Sequence, residues 1–300
     1  MWQGFACGLA SSASFGLIPL FTLPLIAWGM GTPSILFYRF CISSLLMAVV
    51  LVATRRPLLI PLRDIARLGL LSLFYSSAAI TFFYGFYYMD SGVVATLQFV
   101  CPVFVVLFMI LFFHEKASVT TFLAMVMCIV GVGFLSLKPE GVGLVSLLGL
   151  TIVLLSALLN ALYITGIQIT RLSVTSGLSI TFYLMLFGAL YTLLFALATG
   201  SLALPASAQQ WGTLALLGAI TGVFSTLMLV AGVKRIGSTI TSVLGAMEPV
   251  TALVVGVWVF DESFTWRSFC GAGLIISAVL IIMLAPYWQK KRAAHKLPAA

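Results

Sequence analysis

The sequence predicts an all-α polytopic membrane protein of ten transmembrane helices, arranged as two inverted five-helix repeats. Three observations carry that reading. The composition matches no ordinary soluble domain. Ten apolar runs follow one another with very short connectors. The two halves match each other in register at a proline and at a glutamate.

Of the 300 residues, 62% are hydrophobic and only 7% are charged, and the mean hydropathy is +1.21. A soluble domain carries about 25% charged residues. The 11 prolines and 26 glycines fit helices whose freed backbone groups are satisfied by neighbouring helices. Cys7, Cys41, Cys101, Cys128 and Cys270 all fall inside apolar runs. They have no metal-ligand spacing and read as small buried residues. Neither metal nor other cofactor is expected.

An apolar run of about twenty residues crosses a bilayer core of roughly 30 Å as a helix. Taken in order, the expected spans are Gly4–Trp28, Pro33–Thr54, Ile65–Met89, Ser91–Phe113, Val119–Leu137, Val142–Ile169, Gly177–Thr199, Gln210–Val233, Ser238–Phe260 and Thr265–Trp288. The first span starts almost at residue 1 without a basic leader or cleavage signal, so it is not expected to be a signal peptide. Residues 289–300 form a polar tail, expected to be disordered.

Orientation follows from Lys and Arg. One side receives Arg55, Arg56, Arg63, Arg67, Lys116, Arg171, Lys234, Arg235, Lys290, Lys291, Arg292 and Lys296; the other receives only Lys138 and Arg267. Asp90, Glu140, Asp261 and Glu262 lie on that second side. Both termini are therefore expected in the cytoplasm, and the short loops favour a bacterial inner membrane. The formal charge of +8 is a topology signal and leaves no basic surface for a nucleic acid.

The ninth run holds one carboxylate, Glu248, near its middle, followed at once by Pro249. A charge at mid-bilayer costs roughly 2.5–3.5 kcal/mol on insertion scales, so such groups face a bundle interior or a wet cavity. Proline removes a helical donor at the same depth. The fourth run aligns with the ninth without gaps. Pro102 falls on Pro249, Val103 on Val250, Phe113 on Phe260 and Glu115 on Glu262. This divides the chain into a first repeat, 1–141, and a second, 142–288. Five spans per repeat make the second enter the membrane from the opposite side, a plan used by secondary transporters with a substrate site near mid-bilayer. There is no GxxxxGK[ST] phosphate loop, and no room for an ATPase domain.

These residues resemble the EamA family of the drug/metabolite transporter superfamily. Glu248-Pro249 with Glu262, the matching Pro102 and Glu115, and Arg39-Phe40 carry the resemblance. It implies a cytoplasmic-membrane carrier of small metabolites, often an exporter of amino acids or related compounds. It also implies a cavity lined by spans 1, 3, 4, 6, 8 and 9. The family often has a Trp-Gly pair in the first span, where this chain reads Phe15-Gly16.

Helical spacing marks the inward faces. Span 3 offers Ser77, Thr81, Tyr84 and Tyr88. Span 4 offers Gln98 and Cys101, whose repeat mates are Gly245 and Glu248. Span 6 offers Ser156, Asn160 and Tyr163; span 8, Thr221, Ser225 and Met228; span 1, Ser11 and Ser14. Asn160 is the chain's one asparagine. The expected substrate pathway comprises Ser14, Tyr84, Gln98, Asn160, Tyr163, Ser225 and Glu248. Two alternatives stand beside it. Each hydroxyl can instead bond a carbonyl one turn back, and Glu248 can instead serve the proline kink. A wet cavity lets Glu248 ionise and hold an ammonium or a proton. Arg39, two turns into span 2, reads as a structural anchor rather than a ligand contact.

Catalysis finds no support. His114 and His295 lie at the cytoplasmic edge or tail, and Glu248 is the one acid at mid-depth. A receptor or scaffold would carry longer loops. The expected function is secondary transport of a small metabolite, an amino acid or a related compound, in the export direction. The alternative is a cation-selective multidrug or amine carrier with Glu248 as counter-ion and tyrosines supplying cation–π contacts. The expected partners are the small-molecule substrate, the lipid bilayer and, as candidate coupling ion, the proton. The oligomeric expectation is a monomer or weak homodimer.

Overall fold

The computed structural model describes residues 2–56, 60–85, 87–88, 94, 97–113, 119–136, 147–170, 176–259 and 266–295, with side chains throughout except at 132, 252, 253, 256, 268 and 282–295. Readings that concern Met89, Asp90, Ser91, His114, Glu115, Lys116, Leu137, Lys138, Glu140, Gly141, Val142, Arg171, Phe260, Asp261, Glu262, Thr265 and Lys296 lie outside the described residues.

Among the described residues, the regular structure is entirely helical. The helices are α1 (Trp2–Phe15), α2 (Ile18–Ala27), α3 (Thr32–Ala53), α4 (Leu62–Gly85), α5 (Cys101–Phe113), α6 (Val119–Ser136), α7 (Leu147–Ile169) and α8 (Gly177–Ala198). They continue as α9 (Ala208–Leu217), a π-helical segment (Gly218–Phe224), α10 (Ser225–Leu244), α11 (Met247–Val259) and α12 (Trp266–His295). Among the described residues, six stretches are long and apolar enough to cross a membrane: 2–27, 32–53, 62–85, 147–169, 177–198 and 208–244. Shorter apolar helices occupy 101–113, 119–131 and 269–281. The chain is thus built as a multi-pass membrane protein. Its last helix continues past Trp288 to His295, where the sequence reading expected a disordered tail.

Local chemistry sets the ends. Pro33 stands in the first turn of α3, where its missing N–H costs nothing. The Ser176 and Ser207 hydroxyls cap α8 and α9 by accepting from the Ser179 and Gln210 amides, each at 3.2 Å. Gly237, with φ +85°, turns the chain inside α10, and the Ser238 amide there donates to Gln168 Oε1 of α7.

Outward faces suit lipid. Leu45, Val49 and Val52 recur one turn apart on α3 and are exposed, as are Leu186, Leu190, Leu194 and Leu197 on α8. Inside, α3 packs on α8, α1 on α10, α4 on α7 and on α8, and α6 on α12. The largest buried cluster joins α3, α4, α5, α7 and α8 around Phe40, Tyr75, Cys101, Tyr163 and Leu184. A second, around Phe5, Phe99, Leu244 and Val250, joins α1, α6, α10, α11 and α12.

Candidate functional site

The two prolines break their spans in the same way. Pro249 cannot donate to the Gly245 carbonyl, which takes the Glu248 amide instead at 3.0 Å. Gly245 and Ala246 reach back three residues, to the Ser242 and Val243 carbonyls, both at 3.1 Å. In the first half, Val100 reaches the Leu97 carbonyl at 3.0 Å, and Val103 the Val100 carbonyl at 2.9 Å. Each proline therefore follows a tight turn and opens a new helix. Glu248 falls in the first turn of α11, where a helix N-terminus favours negative charge.

The α1–α2 break crosses this turn. A Cβ placed on Gly16 would lie 2.5 Å from the Glu248 carbonyl oxygen and 2.6 Å from Thr251 Cβ. Only a residue without a side chain allows that approach.

Arg39 lies opposite, on α3, and is 3% exposed. Its Nη2 donates to Tyr75 Oη at 3.4 Å and to the Thr221 carbonyl at 3.2 Å, while its Nε has no partner. Thr221 belongs to the π-helical segment, whose wider turns leave carbonyls open to outside donors. Gly218 and Gly222 let that segment sit against α3. A Cβ on Gly218 would meet the Arg39 carbonyl oxygen at 3.2 Å, and one on Gly222 would collide with Ser43 Oγ. Ser43 Oγ in turn donates to the Gly218 carbonyl at 2.9 Å.

Tyr75 stacks on Tyr163 with ring centroids 4.6 Å apart and planes 27° apart. Phe40 meets Tyr75 edge-on at 5.5 Å. Tyr163 is fully buried, and its hydroxyl has no partner among the described residues. One turn earlier on α7, the Asn160 side chain lies beside the Cys101 thiol. The Glu248 carboxyl lies within electrostatic range of Cys101 and of Arg39, without an ion-pair contact to the latter.

These links close a ring. It runs Arg39, Tyr75, Tyr163, Asn160, Cys101, Glu248 and Gly16, then returns through α1, where Ser11 Oγ donates to the Ser225 carbonyl at 2.9 Å, to Thr221 one turn away. Asn160 and Glu248 are each half-buried.

The sequence-derived candidates divide accordingly. Asn160, Tyr163 and Glu248 come together in the ring. Gln98 is half-buried one turn before Cys101, and its Oε1 is buried without a partner. The Ser14 hydroxyl donates back to the Ala10 and Ser11 carbonyls, and the Ser225 hydroxyl to the Ile220 carbonyl at 3.0 Å. Both hydroxyls are engaged by backbone, although both residues flank the ring. Tyr84 tilts against Tyr87 at 5.7 Å and meets Phe195 of α8 edge-on at 6.1 Å, which puts its ring on the α8 side of α4. Ser156 and Thr81 also serve backbone, donating to the Ala78 and Ser77 carbonyls, both at 2.7 Å. Two ring members escaped the sequence reading. Tyr75 lies off the span 3 stripe, and Arg39 read as an anchor. The available signal was a buried cation in span 2 that needed an interior partner.

A model of the EamA-like transporter family matches this chain twice, over residues 2–137 and 147–284. An uncharacterized transporter of Archaeoglobus fulgidus is 26% identical over 253 residues, covering 82% of this chain and 86% of that protein. A solved crystal structure superposes with a TM-score of 0.81 at 16% identity, covering 94% of this chain and 96% of the other, and so shares the fold.

Proposed function

The chain belongs to the EamA-like transporter family, and on that premise we propose that this membrane transporter exports a small amino acid or related compound. The route runs through the space between two inverted five-helix repeats, 1–141 and 142–288. One observation carries the reading: a helix break bearing a lone carboxylate lies within electrostatic range of a buried guanidinium that has no ion-pair partner among the described residues.

The helix pairings support the inverted repeats. Exchanging the halves turns the α1–α10 pair into the α7–α4 pair, and the α5–α7 pair into the α11–α1 pair. The α3–α8 and α6–α12 pairs map onto themselves. The matching turns before Pro102 and Pro249 obey the same exchange. The proposal includes ten spans, both termini in the cytoplasm of an inner-membrane protein, and the proton as coupling ion through Glu248. The cytoplasmic tail at 289–300 belongs to the same proposal.

The amine-carrier alternative draws on the buried tyrosine pair and Glu248. Arg39 counts against it, since a cation in that space meets like charge.

The test is counterflow in proteoliposomes with neutral amino acids set against quaternary amines, with and without an imposed pH gradient. Amino acid flux that responds to the gradient supports the proposal; amine flux alone overturns it. Reporters fused at the C-terminus and in the 200–209 connector should report opposite sides, and same-side signals overturn the ten-span topology.

A further inference from the structure

We propose that Arg39 is the anion-binding pole of the transport site and Glu248 its cation pole, so that the site takes a zwitterion held at both ends. The inference rests on the transport reading above and adds the two residues that select the cargo.

Arg39 is the starting point. A guanidinium has five donors in a planar fork and cannot shed its charge. This one is 3% exposed, makes one bond of 3.2 Å and one of 3.4 Å to neutral acceptors, and leaves Nε without a partner. Among the described residues, the one ion pair is Arg67 with Asp64, at the edge of α4. Its guanidinium also lies 5.7 Å from the Phe40 ring centroid, but no carboxylate among the described residues pairs with it; a buried charge is costly unless paired, and a carboxylate matches the fork in two parallel bonds.

The opposite pole is Glu248, half-buried and within electrostatic range but outside contact. A direct Arg39–Glu248 pair would neutralise both charges; the structure holds them apart. Backbone fixes both ends. Glu248 is set by its proline turn and by Gly16, and Arg39 by the Thr221 carbonyl. Beside Arg39 stand the stacked Tyr75 and Tyr163 rings, with Asn160 one turn from Tyr163 on α7. Apolar faces with a few polar tips suit a compact zwitterion better than an inorganic anion or a permanent cation.

The experiment uses full-length protein in proteoliposomes and three probes of one shape: L-phenylalanine, phenethylamine, which lacks the carboxylate, and 3-phenylpropionate, which lacks the ammonium. L-Leucine, isoamylamine and 4-methylpentanoate form a second set. Wild type should carry the zwitterion of at least one set about tenfold or more faster than either single-charge analogue, the scale of losing one hydrogen-bonded charge. Arg39→Gln should lower the zwitterion-to-amine flux ratio about tenfold. Glu248→Gln should lower the zwitterion-to-acid ratio instead, and Arg39→Lys should recover part of the first ratio. Equal wild-type flux of a zwitterion and its analogues overturns the two-pole site without any variant having to fold. So does an Arg39→Gln protein that loses amino acid and amine flux by the same factor. A wild type that carries amines but neither amino acid overturns the bracket and leaves a transporter. Flux of none of the six probes overturns the amino acid reading itself.

Discussion

Tyr75 and Tyr163 stack with centroids 4.6 Å apart, yet their hydroxyls fare differently: Tyr75 Oη accepts from Arg39 at 3.4 Å, whereas Tyr163 Oη has no partner. The stack fastens α4 to α7, and its two polar tips are not equivalent. Tyr163→Phe should therefore keep or raise stability, by up to about 1 kcal/mol, because an unsatisfied buried hydroxyl is costly. Tyr75→Phe should lower it by about 1 kcal/mol, since Arg39 loses an acceptor. Thermal unfolding of the two detergent-purified variants measures the difference.

Gly16 sets a second prediction. Its missing Cβ would overlap the Glu248 carbonyl oxygen and Thr251 Cβ, and the carbonyl is backbone that cannot swing away. Gly16→Val should destabilise by roughly 1–3 kcal/mol and depress flux. Gly273→Ala, where nothing lies within 4 Å, should change stability by less than about 0.5 kcal/mol. Folded yield and melting temperature distinguish the two.

Asn160→Ala and Gln98→Ala should reduce flux per folded molecule several-fold with little change in folded yield. Asn160 lies beside Cys101 at the ring and is half-buried, and Gln98 leaves a buried acceptor unused. Unchanged flux per folded molecule would make both packing residues.

Glu248→Gln should keep the folded yield, because the amide preserves shape and hydrogen bonding, while flux falls at least about tenfold. Glu248→Leu should lower yield as well, since it removes every polar atom at the first turn of α11. Flux from pH 5 to pH 8 completes the measurement. The wild-type profile should flatten in Glu248→Gln, and two identical profiles would assign the carboxyl to the kink alone.

What was legible in the sequence was what proline and hydropathy determine locally. Pro102 and Pro249 announced both helix breaks, because a missing donor acts on its own turn. Glu248 announced itself as the lone mid-depth acid, and Asn160 as an amide among apolar neighbours. The partners across the bundle were not legible. Tyr75 finds Arg39 only once α3 and α4 are packed together. Tyr84, on a well-formed polar stripe, turns out to pack against Phe195 of α8. The π-helical segment hid span 8's detail for another reason. Spacing read at 3.6 residues per turn loses phase through a wider turn, so Thr221 contributes a carbonyl to Arg39 while its hydroxyl returns to the Leu217 carbonyl at 2.7 Å.

The close approach of Gly16 to the Glu248 carbonyl fixes the turn that carries the carboxylate by setting main chain against main chain. If the proposed site is the transport site, the side chains around that turn are free to be recut without moving the crossing. A scaffold of this kind would reshape its cargo space through a few side chains while the helix break stays where it is.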